Sequence, residues 1–128
     1  MLDSYYLIDF VASQAETCRV ILSVCTGSFI LHSAGLLQSK KATTHFSRLD
    51  NLRNLKDVEV AEKRFVKEGK VWTSAGVSAG IDMALELVAH EAGEETAGKV
   101  QLYAEYYPAG NRYGSAHKEP QAPGYLNN

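Results

Sequence analysis

The chain has 128 residues, with thirteen Lys or Arg, fifteen Asp or Glu and a formal net charge of −2. This length predicts one domain, and an apolar share of 45% with 22% charged residues argues against disorder. The slightly acidic balance argues against a nucleic-acid partner, because binding to phosphate backbones relies on clustered Lys and Arg. No apolar stretch approaches the ~20 residues of a membrane helix, so we expect no membrane span.

The two cysteines, Cys18 and Cys25, are too few for a disulfide scaffold. They also lack the CxxC spacing and the histidine cluster that would indicate a zinc site. We therefore expect a reducing, cytoplasmic setting, with no metal and no cofactor.

The first elements in chain order are a helix, a buried strand and a second helix. Residues 2–14 have a helical apolar pattern, and the β-branched run 19–24 is typical of a parallel strand covered on both faces. Residues 28–34 predict a short, mostly apolar helix, which Gly35 is expected to end in the left-handed conformation. This strand, turn and helix would form half of a βαβ unit.

The middle of the chain predicts further strands. Residues 42–46 suggest a short strand of the main sheet, and Ser47 could cap the brief helix that follows. Residues 58–66 are extended in character, and a turn at Gly69 leads into a partner strand at 71–73. A hairpin is therefore expected here.

The glycine-rich segment 74–80 precedes the strongest predicted helix, in which apolar residues recur at helical spacing from Ile81 to Ala89. Gly93 is expected to end this helix. The segment lacks the Lys-Ser/Thr ending of a phosphate-binding loop, and its glycines do not fit GxGxxG. We interpret it as close backbone packing beside a pocket, with Ser78 or Thr73 as a candidate polar contact.

The last predicted helix begins at Glu94 and Glu95, whose charges suit the N-terminal dipole, and it is expected to run through Tyr107 to Pro108. Residues 109–128 are rich in Gly, Pro, Asn and Ser, which is typical of an irregular tail. The expected organisation is one domain up to Pro108 followed by this tail.

The clearest chemical signal is the pentapeptide that centres on Cys25, which reads Ser-Val-Cys-Thr-Gly. It has the form small-x-nucleophile-x-Gly of a nucleophile elbow, a tight strand-to-helix turn in which bulky flanking residues would collide. A sulfur there lies at a helix N-terminus, which favours the thiolate, and the Thr26 amide could stabilise an oxyanion. The alternative is that Cys25 is a small buried core residue.

Three further residues have structural interpretations, which for His45 compete with a functional one. His45 ends a predicted strand and is the histidine placed to approach Cys25, although a structural role is the alternative. His32 lies inside a short helix and is interpreted as a packed or hydrogen-bonded residue. Asp82 is expected in the first turn of its helix, where capping or dipole stabilisation explains it.

Four segments of the sequence together resemble the ThiJ/PfpI superfamily, which is related to class I glutamine amidotransferases: 20–27, 34–37, 42–46 and 73–82. Within the superfamily, these sequence motifs are most similar to those of the isonitrile hydratase-like branch and of amidotransferase-like domains fused to AraC-type regulators. The resemblance spans roughly residues 3–108. It implies an α/β, flavodoxin-like three-layer sandwich with a mainly parallel sheet, assembled as a homodimer.

The resemblance also implies roles for individual residues. Cys25 would be the nucleophile and Thr26 a second catalytic residue beside it. From their positions in the sequence, Gly27, His45 and Ser78 are expected to contact substrate. It further implies that the chain lacks the opening section of the family domain, which supplies the first strands and an acidic partner of the cysteine. No residue of this sequence takes that acidic role by motif.

The leading hypothesis is a cysteine-dependent lyase or hydrolase of the isonitrile hydratase-like type, acting on a small molecule. The absent acidic partner leaves enzymatic activity open. One alternative is a non-catalytic ligand-sensing or regulatory domain that keeps the pocket without turnover. Another is a glyoxal-detoxifying or redox-stress relative, in which Cys25 adds to an aldehyde or is oxidised. The small sheet would leave an open edge, so we expect a second copy of the chain to cover it.

Overall fold

The computed structural model describes residues 4–127, within which five helices and five strands are present. The helices are α1 (Ser4–Thr17), α2 (Ser28–Ser33), α3 (Leu49–Arg53), α4 (Val77–Ala92) and α5 (Glu94–Tyr103). The strands are β1 (Ile21–Val24), β2 (Lys41–Ala42), β3 (Glu59–Val60), β4 (Phe65–Glu68) and β5 (Val71–Ser74). The first predicted helix is confirmed over its described part, and its residues 2 and 3 lie outside the described residues.

The main sheet has three strands in the order β1-β5-β4. β1 runs parallel to β5, with Ile21 opposite Val71 and Val24 opposite Ser74, whereas β4 and β5 form the predicted antiparallel hairpin. The prediction of a main-sheet strand over 42–46 is wrong. Only β2 is extended there. Its backbone pairs with the 59–60 segment, β3, so β2 and β3 form a separate parallel two-stranded sheet.

Helices cover both faces of the main sheet, which gives the expected three-layer α/β sandwich. On one face, a buried apolar cluster joins the sheet to α2 and α3; it consists of Leu31, Leu37, Ala42, Leu52 and Val71. Val11 of α1 and Ile21 of β1 pack against this cluster. α4 packs on the opposite face, and α5 lies against α4.

Helix α2 ends just before the glycine that the sequence predicts as its stop. Gly35 adopts φ +79°, and the Leu36 N–H donates to the Leu31 carbonyl over 3.0 Å. This backbone bond satisfies one of the carbonyls that a helix end leaves open. His32 Nε2 lies 2.9 and 3.0 Å from the two carboxylate oxygens of Asp57, which confirms that His32 is hydrogen-bonded and ties α2 to the loop before β3.

The last helix is shorter than predicted. α5 ends at Tyr103, because Glu105 adopts a left-handed φ of +50° and the Tyr106 N–H donates to the Gln101 carbonyl over 3.1 Å. Tyr107 and Pro108 therefore lie beyond the helix rather than within it. The segment that follows has two short 3₁₀ turns, Ala116–Lys118 and Gly124–Asn127.

Close packing between β1 and α4 requires a glycine at position 80. A Cβ added to Gly80 would lie 2.9 Å from Cγ1 of Val24, a contact that real Cβ atoms essentially never show. Val24 is β-branched and immediately precedes Cys25, so it has little freedom to turn aside. The absence of a side chain at Gly80 therefore lets α4 lie directly on the strand that carries the cysteine.

We predict that Gly80→Ala lowers the free energy of unfolding by about 1–3 kcal/mol, as overpacking does, despite alanine's better helix propensity. Gly98→Ala is the matched control, because α5 leaves open space around Gly98. There the same substitution should raise stability by up to about 1 kcal/mol. Urea denaturation measures both. Shifts in the same direction would contradict the packing account.

Candidate functional site

The candidate site is centred on a strained turn between β1 and α2. The chain passes from Val24 through a 3₁₀ turn, Cys25–Gly27, directly into α2. Cys25 adopts φ +60°, a left-handed conformation that costs a residue with a side chain about 1–3 kcal/mol and occurs preferentially at functional sites. The strand, sharp turn and helix occur in the order that the sequence pattern predicts.

Small residues flank this turn on both sides. A Cβ added to Gly27 would lie 3.5 Å from the Cβ of Ser23, so the two positions face each other across the turn. A single Cβ at Gly27 would be in ordinary van der Waals contact with Ser23, so the small side chain of Ser23 and the absence of one at Gly27 leave room within the turn. The structure thus places Gly27 against Ser23, immediately after the exposed Thr26.

Both backbone polar groups of Cys25 are held by other segments. The Cys25 N–H donates to the carbonyl of Ala75 over 2.9 Å, and the Thr44 hydroxyl donates to the carbonyl of Cys25 over 3.0 Å. Ala75 follows β5 and Thr44 lies just beyond β2. Three separate parts of the chain therefore meet at the cysteine.

The same convergence brings His45 into the site. His45 follows Thr44, and Gly76 follows Ala75; a Cβ added to Gly76 would lie 3.4 Å from Cδ2 of His45. His45 and Cys25 are both half-buried. The structure thus places His45 beside the segments that hydrogen-bond the backbone of Cys25.

Local hydrogen bonds fix the orientation of the His45 ring. Its Nδ1 accepts the N–H of Ser47 over 3.2 Å and lies 2.8 Å from the Ser47 hydroxyl. The ring also packs against Phe46, with 4.6 Å between centroids. The prediction that Ser47 caps the following helix is wrong, because His45 accepts the amide instead. A neutral ring whose Nδ1 accepts carries its proton on Nε2.

Ser78 lies in a neighbouring polar cluster. Its hydroxyl is 3.2 Å from NH2 of Arg64, and its carbonyl accepts the Tyr106 hydroxyl over 3.3 Å. Arg64 also pairs with Asp82, with Nε and NH2 at 2.7 and 2.6 Å from Oδ2. Ser78, Arg64 and Tyr106 help line an open cleft of about 350 Å³.

The capping role predicted for Asp82 is wrong. α4 begins at Val77, four residues earlier than its apolar periodicity indicates, so Asp82 lies in the second turn and faces Arg64. The sequence interpretation missed Arg64 and Tyr106 altogether. An isolated arginine before a hairpin and a tyrosine after a helix have no local signal that would pair them.

Two ionisation effects follow from this cluster. Burial and the hydrogen bond with Asp82 raise the pKa of Tyr106 above its usual 10.0, against the opposing influence of Arg64. Burial likewise raises the pKa of Tyr125. Tyr106 therefore keeps its proton to higher pH in the folded chain than in the unfolded one.

We predict that this difference makes stability fall at alkaline pH. The contribution of Tyr106 to the free energy of unfolding is fully present below pH 10.0, its usual pKa. It is lost as the pH rises through the raised pKa of the folded state. Tyr106→Phe should therefore lose less stability than the wild type between neutral and strongly alkaline pH, measured by urea unfolding. Tyr107→Phe, at an exposed neighbour, is the control. An unchanged alkaline slope in Tyr106→Phe would contradict the assignment.

Two features are absent from residues 4–127. No group of three or more His, Cys, Asp or Glu side chains in this range is arranged to hold a metal ion. No helix in the same range is long and apolar enough to cross a membrane.

Comparison with known proteins identifies the class. Residues 1–90 match the DJ-1/PfpI family model, and the chain belongs to this family. It is 45% identical over 109 residues to an isonitrile hydratase of Pseudomonas putida, covering 85% of this chain and 47% of that protein. It is also 37% identical over 76 residues to the HTH-type transcriptional regulator CdhR of Pseudomonas aeruginosa, covering 59% of this chain and 23% of the regulator.

Solved structures agree with the fold. A THiJ/PfpI family protein from Pseudomonas syringae superposes with a TM-score of 0.79 at 36% identity, covering 94% of this chain and 49% of that one. Drosophila melanogaster DJ-1beta superposes with a TM-score of 0.70 at 22% identity, covering 83% of this chain and 56% of that one, which shows the fold alone. The chain thus spans about half the length of the isonitrile hydratase and of the P. syringae protein.

Proposed function

We propose that this chain carries the nucleophile of a cysteine-dependent, isonitrile hydratase-like enzyme that acts on a small molecule in the cytoplasm. The observation that carries the proposal is the left-handed Cys25 at a strand-to-helix turn, with His45 held beside the same segments. The 45% identity to an isonitrile hydratase supports this choice of reaction within the family.

The proposed reaction converts an isonitrile and one water into an N-substituted formamide. The Cys25 thiolate attacks the terminal carbon, which takes a proton from solvent and becomes a thioimidate. Water then adds to the same carbon, the carbon–sulfur bond breaks, and its electron pair returns to the thiol with a proton. No net oxidation or reduction occurs, and the cysteine is regenerated.

Other residues of the site have supporting roles in this proposal. Thr26 is exposed beside Cys25, where its hydroxyl and amide can hydrogen-bond the adduct. The Nε2–H of His45, which the bonds between Nδ1 and Ser47 leave available, would donate to the nitrogen of the adduct. Gly27 keeps the turn tight at the reacting carbon, and Ser78, which lines the cleft beside Arg64 and Tyr106, would contact the substituent of the substrate.

A second candidate function is ligand sensing without turnover. The identity to CdhR, and 33% identity over 89 residues to the HTH-type transcriptional regulator GbdR of Pseudomonas aeruginosa, favour it. In this alternative the site around Cys25 binds a small molecule, and no covalent chemistry takes place.

We predict that the protein converts a simple alkyl isonitrile into the corresponding formamide, followed by proton NMR. Cys25→Ser should reduce the rate by roughly 1,000-fold or more, as loss of a nucleophile does in other covalent enzymes. Cys18→Ser is the matched control, because Cys18 is half-buried like Cys25 but lies between α1 and β1, outside the elbow. Turnover that survives Cys25→Ser would contradict the proposal, and binding without conversion would favour the sensor.

We also propose that the chain forms a homodimer. Among the described strands, β1 pairs only with β5, so its outer edge has no strand partner. Large apolar side chains are exposed on both helical layers, including Tyr6 (77%) on α1 and Tyr103 (89%) on α5. We expect a second copy of the chain to cover part of this surface, because large exposed apolar patches mark interaction sites in proteins.

Sedimentation velocity tests the homodimer. We predict a species of twice the 14.0 kDa monomer mass, because pairing removes the exposed apolar side chains from water. A stable monomer that melts cooperatively would contradict the prediction.

A further inference from the structure

We propose that Thr44 is a positioning residue for Cys25, whose hydroxyl keeps the cysteine backbone in the left-handed conformation that presents the thiol. The inference rests on the proposed function, because positioning matters only if the Cys25 sulfur reacts. Thr44 itself is fully buried and touches no substrate in this account. It acts through the peptide group of Cys25.

The geometry of the contact supports this role. The Thr44 hydroxyl donates to the Cys25 carbonyl over 3.0 Å, while the Cys25 N–H donates to Ala75 over 2.9 Å. Both polar groups of a residue at φ +60° are thus anchored from opposite sides. A strained backbone persists only where its surroundings over-determine it. Of these two hydrogen bonds to the Cys25 backbone, the one from Thr44 comes from a side chain and can therefore be removed by substitution.

The neighbouring hydroxyls show that this bond is specific. Six buried polar residues occur among the described ones, and all are hydroxyl residues: Ser23, Ser28, Thr43, Thr44, Thr73 and Ser74. The side-chain oxygens of Ser23, Ser28 and Thr43 have no hydrogen-bond partner among residues 4–127. A buried hydroxyl in this region therefore does not automatically find a hydrogen-bond partner. The Thr44 hydroxyl does have one, the carbonyl of Cys25.

Loss of the hydroxyl has two physical consequences. The Cys25 carbonyl is left without its side-chain donor, and the left-handed backbone loses one of its two anchors. The turn then relaxes towards an ordinary backbone conformation, which moves the Cβ and the sulfur away from the site. A displacement of this kind near a reacting group costs at least about tenfold in rate.

The experiment compares three variants of the full chain. Thr44→Val removes the hydroxyl at constant shape, and Thr44→Ser keeps it. Thr43→Val is the matched control, because Thr43 is the adjacent residue, is equally buried, and has a side-chain oxygen with no hydrogen-bond partner among residues 4–127. Two readouts are taken: the rate of Cys25 alkylation by iodoacetamide at neutral pH, and the backbone chemical shifts of Cys25 by NMR.

We expect Thr44→Val to slow alkylation at least about tenfold and to move the Cys25 Cα and Cβ shifts. Thr44→Ser should restore both, and Thr43→Val should match the wild type. Unchanged Cys25 shifts in Thr44→Val, or equal effects of Thr43→Val, would overturn the proposal. If Thr44→Val does not fold, the comparison of Thr44→Ser with Thr44→Ala decides the same question.

The two readouts separate this inference from the proposed function. If wild-type Cys25 alkylates no faster than Cys18 but its shifts respond to Thr44→Val alone, the positioning role stands and the proposed chemistry fails. If Cys25 is reactive in the wild type and equally reactive in Thr44→Val, the chemistry stands and the positioning role fails.

Discussion

The left-handed backbone of Cys25 is the constraint on which the site depends. A residue with a side chain holds φ +60° only when its surroundings oppose relaxation, and here two segments distant in sequence do so. The register of the parallel β1–β5 pair sets Val24 beside Ser74, so the next residues, Cys25 and Ala75, meet one step beyond the strands. The segment after β2 then closes the other side through Thr44. The turn is therefore a product of tertiary structure, and its stability is coupled to that of the sheet.

The buried side chains of the main sheet change from apolar to hydroxyl-bearing along β1 and β5 towards this turn. On the face that carries α2, the opposed pair Ile21 and Val71 packs into the apolar cluster, and the next pair on that face, Ser23 and Thr73, is buried but carries hydroxyls. Thr73 accepts the amide of Thr43 over 2.9 Å, which fixes the path of the chain into the site. Apolar burial thus stabilises one end of the sandwich, and buried hydroxyl groups lie at the end that carries Cys25. This division follows the rule that α/β sheets place ligands beyond the carboxyl ends of their strands.

Local features of the fold could be predicted from the sequence, and features that depend on distant partners could not. The small residues around Cys25, the hairpin turn at Gly69 and the helix stop at Gly93 each signal a conformation within a few residues, and the structure has all three. The two-residue β2–β3 pair escaped prediction because strands so short have no periodicity. The Arg64–Asp82 ion pair joins residues eighteen positions apart on different elements. His45 reaches the segments around Cys25 through the loop after β2 and not at the end of a main-sheet strand, and its bond to the Ser47 amide has no sequence signal.

The central claim is that the fold makes Cys25 a nucleophile, and the two cysteines of the chain provide an internal comparison. Both are free and half-buried, but Cys25 lies at the strained turn before α2 and Cys18 follows the end of α1. The most direct measurement is competitive alkylation of the native protein with substoichiometric iodoacetamide at neutral pH, followed by peptide mass spectrometry. We predict that Cys25 is modified about tenfold faster than Cys18 or more, because the left-handed turn before α2 presents its sulfur for reaction. Equal modification of the two cysteines, or faster modification of Cys18, would contradict it.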